Sequence, residues 1–241
     1  MAKVSGLNVR LFVMGGDLSG DANALDGAGY TQETLETTAL ESAAVTRITG
    51  LADGSLSVNG YFDNASNKIH ATFTSNSGKL PSADQVVLVP MGSAVGSPMC
   101  GISAKEADYN VSRGTGSAMT VTSTFTGNGL GGEFGVMLTA FDDTHSSATN
   151  GTAVDNSASS ASGASGYLQA ISLASGSVVV KIQESADNSS WSDLITFSTV
   201  GTSGVPTAER LTMSGSVARY IRVISSGTFS NAKIAVGFSR F

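Results

Sequence analysis

The chain has 241 residues, with 41% hydrophobic residues, 13% charged residues and 29 glycines, enough for one large or two modest domains that each bury a core. That composition excludes a disordered chain, and no apolar run approaches the roughly 20 residues needed to cross a bilayer as a helix. The formal charge is −6, and no cluster of bases interleaved with aromatics offers the phosphate neutralisation that a nucleic-acid binder needs.

The charge is unevenly spread. Residues 1–148 carry 7 Lys/Arg against 14 Asp/Glu, whereas residues 149–241 carry 6 against 5. Short alternating runs rich in Gly, Ser, Thr and Asn predict β-structure with many tight turns. A surface so poor in charge also suits a protein whose faces meet other copies of itself. Cys100 stands alone, so no internal disulfide forms and a reducing compartment is expected.

The N-terminal patch MAKVSGLNVRLFVMGG alternates like a strand and lacks a signal-peptide core. Its strand, residues 8–15, leads into a polar excursion from Gly15 to about Thr38 that is too long for a hairpin turn. Asp17, Asp21, Asp26, Glu33, Glu36 and Glu41 lie between Arg10 and Arg47 with no base among them. A long loop of this kind is expected to be functional or to become ordered against a partner. Asp53-Gly54 reads as a turn, followed by a strand over 55–62. There Leu56, Val58 and Phe62 share one face, and Ser55, Ser57, Asn59 and Tyr61 share the other.

A helix is predicted from Asp63 or Asn64, with Ala65, Ile69 and Phe73 on one face and Gly78 and Pro81 ending it. Strands follow at 84–92, 100–111, 117–127 and 132–141. The Ser-rich stretch 143–166 is the clearest composition break and reads as an interdomain connection. Beyond it only short strands appear, with turn signals every ten to fifteen residues, which predicts a β-sandwich or jelly roll.

Few motifs carry chemistry. Gly127–Gly132, GNGLGG, matches the dinucleotide fingerprint only formally, because a strand rather than a helix follows it. Asp17, Asp21 and Asp26 do not have the spacing of a calcium loop. His70, His145 and Cys100 would each need distant carboxylates to form a triad or zinc site, and read as ordinary positions. SADNSSW, Ser185–Trp191, resembles a carbohydrate-associated Asp-box but is one residue short, with Ser189 where a glycine is expected. A hairpin turn presenting Trp191 is the favoured reading. No catalytic, cofactor or metal residue is assigned.

Taken in order, DLSGDAN, LETTALESAAVTRITGLADGSLSVNGYFD, ADYNVSRGTGSAMTVTSTFTGNGLGGEFG, GYLQAISL, VKIQESADNSSWSDLITF and RYIRV resemble the major tail (tail tube) proteins of long-tailed bacteriophages, especially those of actinobacterial hosts. The resemblance implies a mainly β fold: a barrel-like tail tube domain of packed antiparallel sheets with one flanking helix over 1–148, and a C-terminal jelly-roll-like β-sandwich over 149–241 as an exterior decoration. It implies a non-enzymatic virion protein that needs no cofactor, made in the host cytoplasm and assembled into stacked, hexameric rings. The implied partners are other copies, tape measure and tail terminator proteins, and viral DNA in transit without specific binding, with no membrane. On this reading the six acids from Asp17 to Glu41 belong to an acidic channel or an inter-ring loop, and Ser55, Ser57, Asn59 and Tyr61 face the channel. The alternative is a virion- or surface-associated carbohydrate-binding module with Trp191 as a glycan contact.

Overall fold

The computed structural model describes residues 6–75, 78–129, 131–141 and 143–241. The start of the N-terminal patch (1–5), Asn76 and Ser77 in the expected helix, Leu130 in GNGLGG, and Asp142 lie outside the described residues. The chain begins with β1 (Phe12–Val13), β2 (Gly16–Asp17), β3 (Ala22–Glu36) and β4 (Arg47–Tyr61), then a five-residue helix α1 (Ile69–Phe73). Next come β5 (Gln85–Pro90), β6 (Pro98–Arg113), β7 (Met119–Gly127) and β8 (Glu133–Met137). Three two-residue strands follow: β9 (Thr144–His145), β10 (Thr149–Asn150) and β11 (Val154–Asp155). The remainder is β12 (Ala164–Ser172), β13 (Ser175–Ser185), β14 (Ser192–Thr196), β15 (Val200–Gly201), β16 (Thr207–Met213), β17 (Tyr220–Ser226), β18 (Phe229–Ser230) and β19 (Ala232–Arg240).

The protein is mainly β, with two antiparallel sheets. The twelve-stranded sheet is nearly closed and barrel-like, in the order β16–β12–β19–β8–β6–β5–β1–β2; β7 and β4–β3 extend it from β6, and β9 joins β19. The seven-stranded half-barrel runs β10–β17–β13–β14, with β11, β15 and β18 at its margins. Backbone pairing crosses residue 148, because β19 pairs with β8 through Gly237↔Met137 and Phe238↔Val136.

Alternation explains the core. Leu168 on β12 and Ile234 and Val236 on β19 meet Val180 and Ile182 on β13 and Val223 on β17 in one cluster, so the two sheets pack face to face. β5 is buried on both faces: Val87 and Val89 join one core cluster, and Val86 and Leu88 another. A fully buried side chain of this size contributes roughly 1.5–3 kcal/mol.

Several expectations need correction. The excursion after Gly15 is not a loop: Ala22–Glu36 is a fifteen-residue strand paired antiparallel with β4. None of its residues is fully buried, so it lacks the apolar face that marks a strand in sequence. The helix is only Ile69–Phe73; Lys68 before it is extended, Asn67 sits at φ 61°, and Asp63 closes a local turn by accepting from the Ala65 N–H at 2.9 Å. Ile69 and Phe73 are buried as expected, while Ala65 is exposed. The stretch 143–166 is not merely a connection, since β9 pairs with β19 while β10 and β11 pair with β17.

Asp53-Gly54 is not a turn either; Gly54 lies inside β4 opposite Tyr30. A Cβ there would fall 2.5 Å from Gly131 Cα and from the Gly132 amide nitrogen. The glycine-rich segment thus crosses the β3–β4 pair where only backbone fits. Gly54→Ala is expected to lower the thermal midpoint by several degrees, corresponding to about 1–3 kcal/mol of overpacking with no flexible side chain to yield. An unchanged melting curve would refute that crossing.

Candidate functional site

The arrangement that stands out is a four-stranded sheet in the order β3–β4–β7–β6. Its inner face is mostly apolar: Leu56, Val58, Val121 and Phe125 are buried there, with Ser123 and Glu106 as buried polar groups among them. Period-two alternation puts their neighbours on the opposite face. There Ser55↔Thr126, Ser57↔Thr124, Asn59↔Thr122 and Tyr61↔Thr120 are cross-strand partners. On the far side of β7, Asp108, Asn110 and Ser112 oppose Thr124, Thr122 and Thr120, and on β3, Ala24 and Asp26 oppose Asn59 and Ser57.

The result is a broad face of hydroxyls and amides with few charges. Asp26 accepts from the Asn59 amide at 3.2 Å, and Asp108 accepts from the Thr124 backbone N–H at 3.0 Å. The four residues expected on this face, Ser55, Ser57, Asn59 and Tyr61, therefore lie together. The threonines at 120, 122, 124 and 126 were missed, although their strict alternation in TVTSTFT was a legible signal.

Both lateral edges of this sheet are open. Among the described residues β3 pairs only with β4, and β6 beyond Ala104 pairs only with β7. Unpaired edges are templates for another strand. With four alternating antiparallel strands, β3 and β6 run in opposite directions. Copies related by rotation about an axis along the strands would therefore meet β3 to β6 in antiparallel fashion, without disturbing the alternation.

Beyond β7, residues 29–36 and 47–54 continue as a two-stranded ribbon. Leu35 and Ile48 are cross-strand partners there, 45% and 55% exposed, and Leu40 and Leu51 are almost wholly exposed. A two-stranded ribbon is marginally stable in water by itself.

The six acids do not form one wall. Asp17 pairs with Arg10 at 3.1 Å and accepts from Ser19. Asp21 is buried and accepts from the Ile69 N–H at 3.2 Å, with Lys68 Nζ at 3.4 Å, so it anchors the short helix. Asp26 lies on the hydroxyl face. Glu33 and Glu36 lie on the ribbon, Glu36 3.9 Å from Arg47, and Glu41 lies in the ribbon's exposed tip.

The remaining reactive groups are occupied locally. His145 Nδ1 lies 2.6 Å from Ser225 Oγ and its Nε2 3.4 Å from Asp143, an array with triad chemistry in outline. Ser225 and His145 are buried, and the Ser225 oxygen accepts from the Thr149 N–H at 3.2 Å, so the array braces residues 143–150 against β17. His70 Nδ1 lies 3.0 Å from the Tyr109 hydroxyl. Burial pushes the Cys100 thiol up to about 11, which keeps it protonated. Among the described residues no group of three or more His, Cys, Asp or Glu side chains converges as a metal site, and no helix is long and apolar enough to cross a membrane.

The Asp-box-like segment forms a turn. The N–H groups of Ser190 and Ser189, at 2.8 and 2.9 Å, and the Ser185 hydroxyl hold the Asp187 carboxyl well below its usual range. Trp191 is half-buried, and Arg222 covers one face of its ring at 4.2 Å while bonding Gln183 at 2.8 Å.

No family model matches the sequence, and no curated protein matches it. Among solved structures, the cap that terminates the tube of the anti-feeding prophage aligns at TM-score 0.45 and 7% identity, over 56% of this chain and 93% of that one. The sheath–tube complex of the extracellular contractile injection system PVC aligns at 0.44 and 11%, over 56% and 92%. The Dit protein of SPP1, described as a hub of the adsorption apparatus of phages infecting Gram-positive hosts, aligns at 0.37 and 11%, over 97% and 99%. The structural neighbours are thus tube, cap and hub components. Likenesses this distant assign neither a family nor a role, and the function is argued from the chain's own edges and faces.

Proposed function

We propose that this chain is a structural subunit of a bacteriophage tail tube. Copies stand side by side with the β3 edge of one against the β6 edge of the next, closing hexameric rings whose hydroxyl-lined faces form the channel. The single observation that carries this reading is the four-stranded sheet with two open edges of opposite direction. The ribbons, with Glu33, Glu36 and Glu41, contact neighbouring copies and stack the rings. The seven-stranded sheet, all of whose strands follow residue 148, lies outside the tube. Tape measure and terminator proteins are the remaining partners, in the virion tail.

A channel of hydroxyls and amides suits DNA in transit, because retention needs clustered cations and this face carries Asp26 and Asp108 beside Lys105, which is itself paired with Asp84 at 2.7 Å. Electron microscopy of the purified protein tests the assembly. Hollow tubes support it, single rings that never stack point to a cap or hub subunit, and persistent monomers overturn it. For transit, Asp26→Lys adds one cation per copy to the channel wall. Virions carrying it are expected to eject DNA more slowly, most visibly at low salt. Unchanged ejection would remove Asp26 from the channel.

A further inference from the structure

Glu106 is a buried carboxyl that the assembly reading does not use. It lies on β6 where the strand leaves the body, opposite Phe125, and an extra residue, Ala107, bulges between Glu106 and Asp108. Its surroundings contain an imbalance of protons. Ser123 Oγ lies 2.9 Å from Glu106 Oε1 and 2.9 Å from the Asp108 carbonyl oxygen. A hydroxyl has one proton and cannot donate to both. Both contacts are hydrogen bonds only when Glu106 is protonated and donates to Ser123, which then donates to Asp108. Glu106 Oε2 is also buried and has no hydrogen-bond partner among the described residues. An ionised carboxylate here would leave charge unmatched.

We propose that Glu106 is a proton latch: protonated, it fastens the bulge and the open β6 edge from Asp108 to Arg113 onto β7, and ionised, it releases them. The groups around it fit that role. Asp108 on β6 repels a second negative charge, and Tyr109 on β6 is tied to His70 of α1 at 3.0 Å. The neighbouring base, Lys105, pairs with Asp84 at 2.7 Å. Burial, aided by the charge of Asp108 and opposed by the bond that Ser123 could donate to the ionised form, raises the Glu106 carboxyl to about 8. The pH window follows. Between the ordinary carboxylate range and about 8 the closed form holds a proton that the open form has released, so raising pH favours opening; above about 8 the dependence ends. Any loss of ring formation at alkaline pH rests on the seam reading, but the latch itself does not.

The test uses the unassembled full-length chain and its Glu106→Gln variant. Carboxyl NMR of the native chain should show Glu106 titrating near 8. Hydrogen-exchange protection of amides 109–113, corrected for intrinsic rates, should fall about tenfold between about pH 7 and about pH 9, a shift equal to one pKa unit of linkage. In Glu106→Gln, whose amide donates to Ser123 without ionising, that fall should vanish. A Glu106 already ionised at about pH 6, protection unchanged in the native chain, or an equal fall in both proteins would each overturn the latch. If the variant does not fold, the native titration and protection still decide.

Discussion

On the proposed tube reading, Leu35→Glu combined with Ile48→Glu is expected to abolish assembly while leaving the unassembled chain folded. The two side chains are cross-strand partners on the projecting ribbon and about half exposed, so their removal takes little from the monomer. Surface changes of this kind usually lie within about 0.5 kcal/mol. In the proposed assembly each apolar side chain that becomes buried contributes roughly 1.5–3 kcal/mol, and a glutamate in its place adds the cost of burying a charge. The two losses together weaken each contact by at least about a hundredfold, and the effect is repeated at every copy. Sedimentation of the variant should show monomer only, with an unshifted thermal midpoint. Assembly at wild-type concentrations would exclude the ribbon from the interface, and a collapsed midpoint would mean it packs on its own chain.

The second large effect is on folding. Arg210→Met is expected to destabilise the chain by about 3–5 kcal/mol near neutral pH, the usual consequence of leaving a buried carboxylate without its partner. Glu133 is buried between β8, β12 and β16, where Ser165, Tyr167 and Arg210 all donate to it. Burial opposes the charge on Arg210, but its bond to Glu133, the charge of Glu133 and the adjoining Tyr167 hydroxyl together outweigh this and hold the guanidinium above its ordinary range. Burial and the adjoining Glu133 push the Tyr167 hydroxyl far above its ordinary range, so it stays a donor. Adding Glu133→Gln to Arg210→Met should recover most of the loss. Denaturant titrations of the native chain, the single variant and the double variant check this, and equal losses in the single and double variants would contradict the paired-charge account.

Legibility differed from strand to strand. Leu56 and Val58 against Ser55, Ser57, Asn59 and Tyr61 were readable because half-burial writes a period of two into the side chains. β3 was not, because Ala22, Leu25 and Ala28, which are partly buried against the core, recur every third residue and the ladder shifts register at Ala22/Ala24 and Ala28/Gly29, so no period of two is left to read. The helix was overextended because the spacing of Ala65, Ile69 and Phe73 ignores the local turn of Asp63 and the left-handed Asn67. Gly54 looked like a turn residue, whereas the requirement came from Gly131 and Gly132, nearly eighty residues away in the chain.

By itself the sequence determined the β class, the sides of the well-patterned strands, the sparse charge and the absence of a compact reactive motif, since these depend on residue type and local period. Only the tertiary structure decided which strands adjoin. It left β3 and the end of β6 open, sent Asp21 to the helix rather than to the hydroxyl face, and set Ser123 between two acceptors. The physical reason is that side-chain alternation specifies a face, whereas strand neighbours are joined by backbone groups common to almost every residue. The edge left open is thus a consequence of which strands pair, and the buried Glu106 carboxyl of the bulge that the β6–β7 pairing leaves beside Ser123.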